Sequence, residues 1–290
     1  MTDVLIRPLA ERDTEHTWEL AHHSLKTAGK SYGWVMPELD DASRANGRAR
    51  LRHFLAHDPD GSWIAESDGK VVGIGAATRR GPLWFLSLLT VSPHVQALGI
   101  GKRLLDATMQ TMASAGALAA SDDPKALRRY RLAGFDLQPR YSAKGVLDRA
   151  LLPAVEGVRE ASYDDDREFV EAIATQQRTT GHGPDLELFA ETGRRLFVTD
   201  TPGGRGYVVT GETGVAVLGA TTPAAARALL WTALAESTAD EALLMWLRPD
   251  QTWAIDVALE ARLSLSPHGS FATRGPVGPM SPYIPNGAFG

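Results

Sequence analysis

At 290 residues and 31.2 kDa the chain can form one large domain or two ordinary ones. Its hydrophobic content of 43%, charged content of 22% and net charge of −5 are those of a soluble globular protein. No long basic run occurs, so nucleic acid is not an expected partner. Cysteine is absent, which excludes disulfides, thiolate metal sites and a cysteinyl intermediate. The N-terminus, MTDVLIRPLAERD, carries no charged-then-apolar signal pattern, and no apolar run approaches a membrane span. A cytoplasmic protein with no membrane partner is expected.

Val4–Pro8 reads as a first strand, followed by a helix from about Thr14 to Thr27 with Asp13 as its cap. The stretch from Ala28 to Ser43 is broken by Gly29, Gly33 and Pro37, and a second helix is expected over about Ala45 to Ala56. Ser62–Ser67 and Lys70–Thr78 flank Asp68-Gly69, a strong hairpin signal. Next, the apolar run Leu83–Val91 lies between Gly-Pro and Ser-Pro and reads as a buried strand. It leads through Gln96-Ala97-Leu98-Gly99-Ile100-Gly101-Lys102 into a helix in which Leu104, Leu105, Thr108, Met109 and Met112 recur at helical spacing. Strand, glycine turn and helix start together make an anion site. The first N–H groups of a helix lack partners, the dipole adds positive charge, and glycine lets a phosphate approach the backbone. A tight turn with no ligand is the plainer alternative. A short strand near Leu118–Ala120 follows, then a helix capped by Asp123 with Pro124 in its first turn, ending at Gly134, and a strand from Phe135 to about Val146.

Two stretches resemble one family. Gln96-x-x-Gly99-x-Gly101 after a strand ending Leu-Thr-Val resembles the acetyl-CoA signature of the GCN5-related N-acetyltransferases (GNAT). Asp123-x-x-Ala126-x-x-x-Tyr130-x-x-x-Gly134-Phe135 resembles the family's N-x-x-A-x-x-x-Y-x-x-x-G-F motif, with Asp where Asn is usual. Leu98 likewise replaces the common Arg or Gly of the turn. The order of elements is that of the family's α/β fold, a mixed sheet with helices on both faces.

Residues 151–290 repeat the pattern. Val158-Arg-Glu-Ala-Ser-Tyr-Asp-Asp echoes Ile6-Arg-Pro-Leu-Ala-Glu-Arg-Asp, and Leu196–Asp200 with Tyr207–Gly211 repeats the hairpin. Val215–Thr221 repeats the central strand, Ala224–Ser237 the next helix, and Ala242–Leu247 the next strand. Ala254 to Pro267 lies without a gap against Ala126 to Pro139. Searching for repeats exposes two tandem GNAT folds, with 1–150 expected to be catalytic and 151–290 degenerate. In the second copy Thr222 runs straight into Pro223-Ala-Ala-Ala, and Ala258 stands where Tyr130 stood. The tail from Gly275 reads as neither helix nor strand, but Tyr283, Ile284 and Phe289 suit packing across a domain surface.

The resemblance implies an acetyltransferase that moves an acetyl group from acetyl-CoA to a primary amine of a small molecule by direct transfer, with no metal. It implies a Leu89 N–H as oxyanion donor and Val91 as a partner of the pantetheine arm. Pyrophosphate would rest on the amides from Ala97 through Leu98, Gly99, Ile100 and Gly101 to Lys102, with Gln96 and Asp123 beside the cofactor. Tyr130 would be the general acid; read alone, it is a packing tyrosine. No carboxylate lies in Trp84 to Thr90, so the base is left among a water chain, Glu66, His22 and His23. A non-catalytic acetyl-CoA sensor or interaction module is the alternative, and dimerisation is left open.

Overall fold

The fold is described from a computed structural model covering residues 4–30, 36, 38–95 and 99–290. The first half comprises β1 (Val4–Pro8), α1 (Thr14–Lys30), α2 (Asp41–His57), β2 (Ser62–Ser67), β3 (Lys70–Arg80), β4 (Leu83–Val91), α3 (Ile100–Thr108), β5 (Ala115–Ala120), α4 (Pro124–Leu132) and β6 (Asp136–Val146). The second comprises β7 (Val158–Ala161), α5 (Arg167–Arg178), α6 (Asp185–Glu191), β8 (Leu196–Thr201), β9 (Gly204–Gly211), β10 (Gly214–Ala220), α7 (Pro223–Ala235), β11 (Glu241–Leu247), α8 (Thr252–Glu260), β12 (Ser264–Arg274) and β13 (Tyr283–Ile284).

Local chemistry accounts for several of these bounds. Asp68 and Gly69 both have positive φ, 50° and 71°, as the tight β2–β3 hairpin requires. The Asp40 side chain accepts from the Ser43 N–H at 2.7 Å, so α2 starts earlier than its apolar pattern indicates. Asp13 does not cap α1. Its carboxylate turns back to the Ala10 N–H at 3.0 Å and to Arg7 at 2.7 and 2.9 Å. The Arg7 hydrogen bonds outweigh partial burial and hold that carboxyl below its usual range.

Strands β1 to β4 pair in sequence as an antiparallel meander, and β5 joins β4 in parallel. Beyond β5 the two halves interlock: the order runs β1-β2-β3-β4-β5-β12-β6-β11. The last long strand of the second half thus lies between β5 and β6, and β6 lies between β12 and β11. Exchanging the halves maps β5 onto β11 and β6 onto β12, so the shared region has an approximate twofold axis between β6 and β12. α8 and β12 begin and end at the same offset from α4 and β6, as the gapless alignment of the two stretches requires. The second sheet has the order β13-β10-β9-β8-β7. The tail therefore does contain a strand, a correction to its reading as irregular, and Tyr283, Ile284 and Phe289 are all buried.

One apolar core runs through both halves, uniting Phe54, Ile74 and Phe85 with Phe189, Tyr207 and Phe289. Phe289 stands edge-on to Phe54 and Phe189, with centroids 5.9 and 5.8 Å away. Beside it lies a buried charge network across the halves. Arg80 donates to Asp58 at 3.0 Å and to Asp185 at 2.5 and 3.1 Å, and Asp185 also meets His53 Nε2 at 2.9 Å. Burial alone would raise the Asp185 carboxyl, but His53 and Arg80 hold it below its usual range.

Asp185→Ala strips Arg80 and His53 of their shared anion and is expected to cost about 3–5 kcal/mol, read by chemical denaturation. Because the folded-state pKa is depressed, the carboxylate's contribution is complete above its unfolded value near ~4 and is lost as pH falls through the lower folded value. The stability gap between wild type and variant should narrow over that acid range.

Candidate active site

The site forms where β4 leaves β5. Their ladder covers Leu83–Leu86 only, against Ala115–Leu118. On the other side, β4 stays paired with β3 as far as Val91, with a bulge between the Ala77–Leu86 and Ala76–Leu88 pairs that leaves Ser87 as the extra residue. The Ser92 N–H donates to the Val72 carbonyl at 2.8 Å, which fixes the alternation. Thr90 and Leu88 bond toward β3, so the N–H and C=O groups of Leu89 and Val91 point to the side that β5 has vacated. The two strand residues expected to serve the cofactor thus share one backbone edge.

Gly99 caps α3 with φ +75°, and a Cβ there would meet nothing within 4 Å. The first turn of α3 holds no acidic residue, so nothing opposes an anion at this helix start. Ile100 is buried beneath the turn with Leu104. Gln96, Ala97 and Leu98 lie outside the described residues. Lys102 is directed elsewhere: its N–H donates to Gly99 O at 3.0 Å and its ammonium pairs with Asp106 at 2.6 Å. The N–H thus closes the first turn on Gly99, and the ammonium lies in an exposed pair on the helix surface.

On the far flank, Asp123 caps α4 by accepting from the Lys125 N–H at 2.9 Å, with Pro124 at the first position. The carboxylate thus fills the local role that an asparagine oxygen would fill. Tyr130, 6% exposed, sits on α4 among Trp84, Leu86, Leu105, Leu118 and Phe135. Burial pushes its phenol up to about 12, so it is a protonated donor at neutral pH.

Arg129, the neighbour of Tyr130, escaped sequence reasoning. Its guanidinium lies against α3, with Nη1 3.0 Å from where a Cβ of Gly101 would stand. Nothing in the spacing signals that contact, because it depends on how α4 packs beside α3. The base candidates fare differently. Glu66 accepts from Arg7 at 2.6 and 2.9 Å, within the ion pairs that also hold Asp13. His22 is buried on α1 and His23 is exposed. Among the described residues no cluster of His, Asp and Glu could hold a metal, and no helix is long and apolar enough to cross a membrane.

The second half shows the same geometry with a different occupant. β10 bulges at Ala216, and the Thr221 N–H donates to Arg205 O at 2.8 Å, so Leu218 and Ala220 face the vacated side as Leu89 and Val91 do. Here β13 pairs with β10 through Leu218–Ile284 and Gly219–Tyr283. The Ala220 N–H donates to Pro282 O at 3.1 Å, and its carbonyl accepts from Gln177 Nε2 at 2.7 Å. Asn286 Nδ2 donates to the bulge carbonyl of Ala216 at 3.0 Å. Thr222 caps α7 directly, and Ala258, fully buried, replaces the phenol. The chain's own tail fills this second cleft.

Residues 25–135 match the profile of the acetyltransferase (GNAT) family. The whole chain is similar to a structure from Pyrococcus horikoshii provisionally described as an acetyltransferase, at 19% identity and TM-score 0.79, over 99% of this chain and 96% of that one. It is similar to a GCN5-related N-acetyltransferase from Kribbella flavida at 18% identity and TM-score 0.59, over 94% of this chain and 71% of that one. A tandem GNAT protein from the clavulanic acid biosynthesis pathway aligns at 15% identity and TM-score 0.56, over 94% and 98% of the two chains. At these identities the likeness is one of fold. No curated protein matches the sequence. Residues 25–135 thus match the acetyltransferase (GNAT) family model, and the chain as a whole carries that fold in tandem.

Tyr130 should titrate abnormally. Comparing wild type with Tyr130→Phe by phenolate absorbance, no ionisation of this residue is expected through about pH 10, where an ordinary tyrosine is half ionised. Ionisation of Tyr130 at or below that pH would mean that water reaches the phenol.

Proposed function

We propose that the protein is an N-acetyltransferase that uses acetyl-CoA to acetylate a primary amine of a small molecule by direct transfer, with one cofactor site per chain. The observation that supports the reading is that Leu89, whose backbone faces the side vacated by β5, packs both against the cluster that holds Tyr130 and against the one that holds Ile100 at the Gly99-capped start of α3. When bound, acetyl-CoA supplies the thioester whose acyl carbon the amine attacks. The Leu89 N–H, facing the cleft, stabilises charge developing on the carbonyl oxygen. Val91 continues that edge along the pantetheine arm, and the N–H groups at the start of α3 meet the pyrophosphate. As the C–S bond breaks, Tyr130 gives its proton to the departing sulfur. The attacking nitrogen must shed a proton. With Glu66 engaged by Arg7, a water chain is the route most consistent with the side chains present. The acidic net charge of −5 suits a cationic amine acceptor.

A non-catalytic acetyl-CoA sensor would use the same cleft, and the absence of a carboxylate on β4 is compatible with it. Thiol release from acetyl-CoA over a panel of amines, measured beside binding, separates the two. Binding with no turnover on any amine would favour the sensor.

Tyr130→Phe should lower kcat by about tenfold to a thousandfold, within the lower part of the range for general acid–base catalysis, with acetyl-CoA affinity little changed. Wild-type rates in that variant would reduce Tyr130 to a packing residue. Calorimetric titration of the intact chain should give close to one equivalent of acetyl-CoA, and the Gly99→Val, Gly101→Val double variant close to none, with a cooperative thermal transition retained. A second saturable equivalent that survives the double substitution would show that β13 does not seal the second cleft.

A further inference from the structure

The phosphate turn lacks a cation of its own. Gln96 to Gly101 contains no basic residue, and Lys102 is paired with Asp106. The helix start offers partial charge only, about half an elementary charge. A pyrophosphate is a multiply charged anion, and recognition of phosphate in proteins commonly draws on a guanidinium, whose planar donors match its oxygens.

One guanidinium is in place. Arg129 Nη1, Cζ and Nη2 lie 3.0, 3.1 and 3.3 Å from the position a Cβ would take at Gly101. The three distances are nearly equal, so the planar group lies flat against the α-carbon of the second residue of α3. A side chain at residue 101 would displace it. Arg129 is half-buried, and among the described residues it forms no ion pair with a carboxylate. The arginines that flank other helices here are committed: Arg131 pairs with Asp136, Arg159 with Asp166, and Arg227 with Glu260. Arg129 instead holds its charge beside a helix start, where the dipole repels a cation. That arrangement is unfavourable for the free protein and favourable once an anion touches both the helix start and the guanidinium.

Resting on the acetyl-CoA reading above, we propose that Arg129 is a cofactor-binding residue that closes on the pyrophosphate of acetyl-CoA from the α4 side, supplying the cation missing from the turn. The glycine at residue 101 then serves two ends, an open backbone and a seat for the guanidinium. Because α4 also carries Tyr130, the element that holds the phosphate is the element that presents the phenol.

The test is calorimetric binding of acetyl-CoA and of 3′-dephospho-CoA to wild type, Arg129→Gln and Arg129→Lys, with thermal unfolding as the folding control. Arg129→Gln should weaken both ligands by the same factor, about tenfold or more for loss of a charge-assisted hydrogen bond. Arg129→Lys should recover part of the loss, and the dependence of affinity on salt should be shallower in Arg129→Gln. In turnover assays the KM for acetyl-CoA should rise while kcat at saturation holds. Unchanged binding in Arg129→Gln would overturn the proposal, and so would a loss seen with acetyl-CoA but absent with 3′-dephospho-CoA, which would place the guanidinium on the 3′-phosphate. If Arg129→Gln does not fold, Arg129→Lys carries the test through affinity: it should bind both ligands more weakly than wild type by the same factor, and unchanged binding would overturn the proposal. Failure of wild type to bind acetyl-CoA at all would instead overturn the reading of the cleft, before Arg129 is reached.

Discussion

A strand that parts from its neighbour halfway along leaves backbone N–H and C=O groups without a ladder, and such groups are costly to bury unpaired. Both halves of this chain meet that constraint at the same place, two and four residues beyond a bulge. In the second half the chain answers it internally: Pro282, Ile284 and Gln177 supply the missing partners to Leu218 and Ala220. In the first half Leu89 holds the equivalent register position, packed against the clusters of Tyr130 and of Ile100 at the start of α3. One strand arrangement thus occurs twice, and in its second copy it holds an extended segment of the chain itself.

The surroundings of the first cleft depend on the second half. β12 is the neighbour of β5, and Ala272 of β12 belongs to the apolar cluster around Tyr130. Arg80, at the end of β3, is held between Asp58 of its own half and Asp185 of the other. The second half is therefore not dispensable to the first, since it supplies part of the wall against which α4 packs.

Much of this was legible in the residues because the signals are local. Gly-Pro and Ser-Pro bracket β4 closely, Asp68-Gly69 sets its hairpin through positive φ, and Asp123-Pro124 marks the start of α4. The gapless pairing of Ala126–Pro139 with Ala254–Pro267 is reproduced in the matched bounds of α4, β6, α8 and β12. Features that depend on tertiary contact were not legible. Asp13 looks like a helix cap until Arg7 is seen to claim it. The pairing of the Lys102 ammonium with Asp106 likewise had no mark in the glycine-turn motif. The strand at Tyr283–Ile284 is too short to show an alternation pattern, being only two residues held by the edge it meets. Strand exchange leaves no trace in a sequence, because β12 would show the same pattern beside either neighbour.

That exchange has a consequence for how the protein is made. On the ribosome, domains generally fold as units from the N-terminus as they emerge. Here the first half cannot complete its sheet when residue 146 appears, because the place between β5 and β6 belongs to Ser264–Arg274. The nascent first half must wait, with the inner edges of β5 and β6 unpaired, until nearly the whole chain has been synthesised. Unpaired edges of this kind invite pairing with other chains, and long-range strand pairing is intrinsically slow. The apolar cluster around Tyr130 is thus completed late in biosynthesis, when β12 enters between β5 and β6.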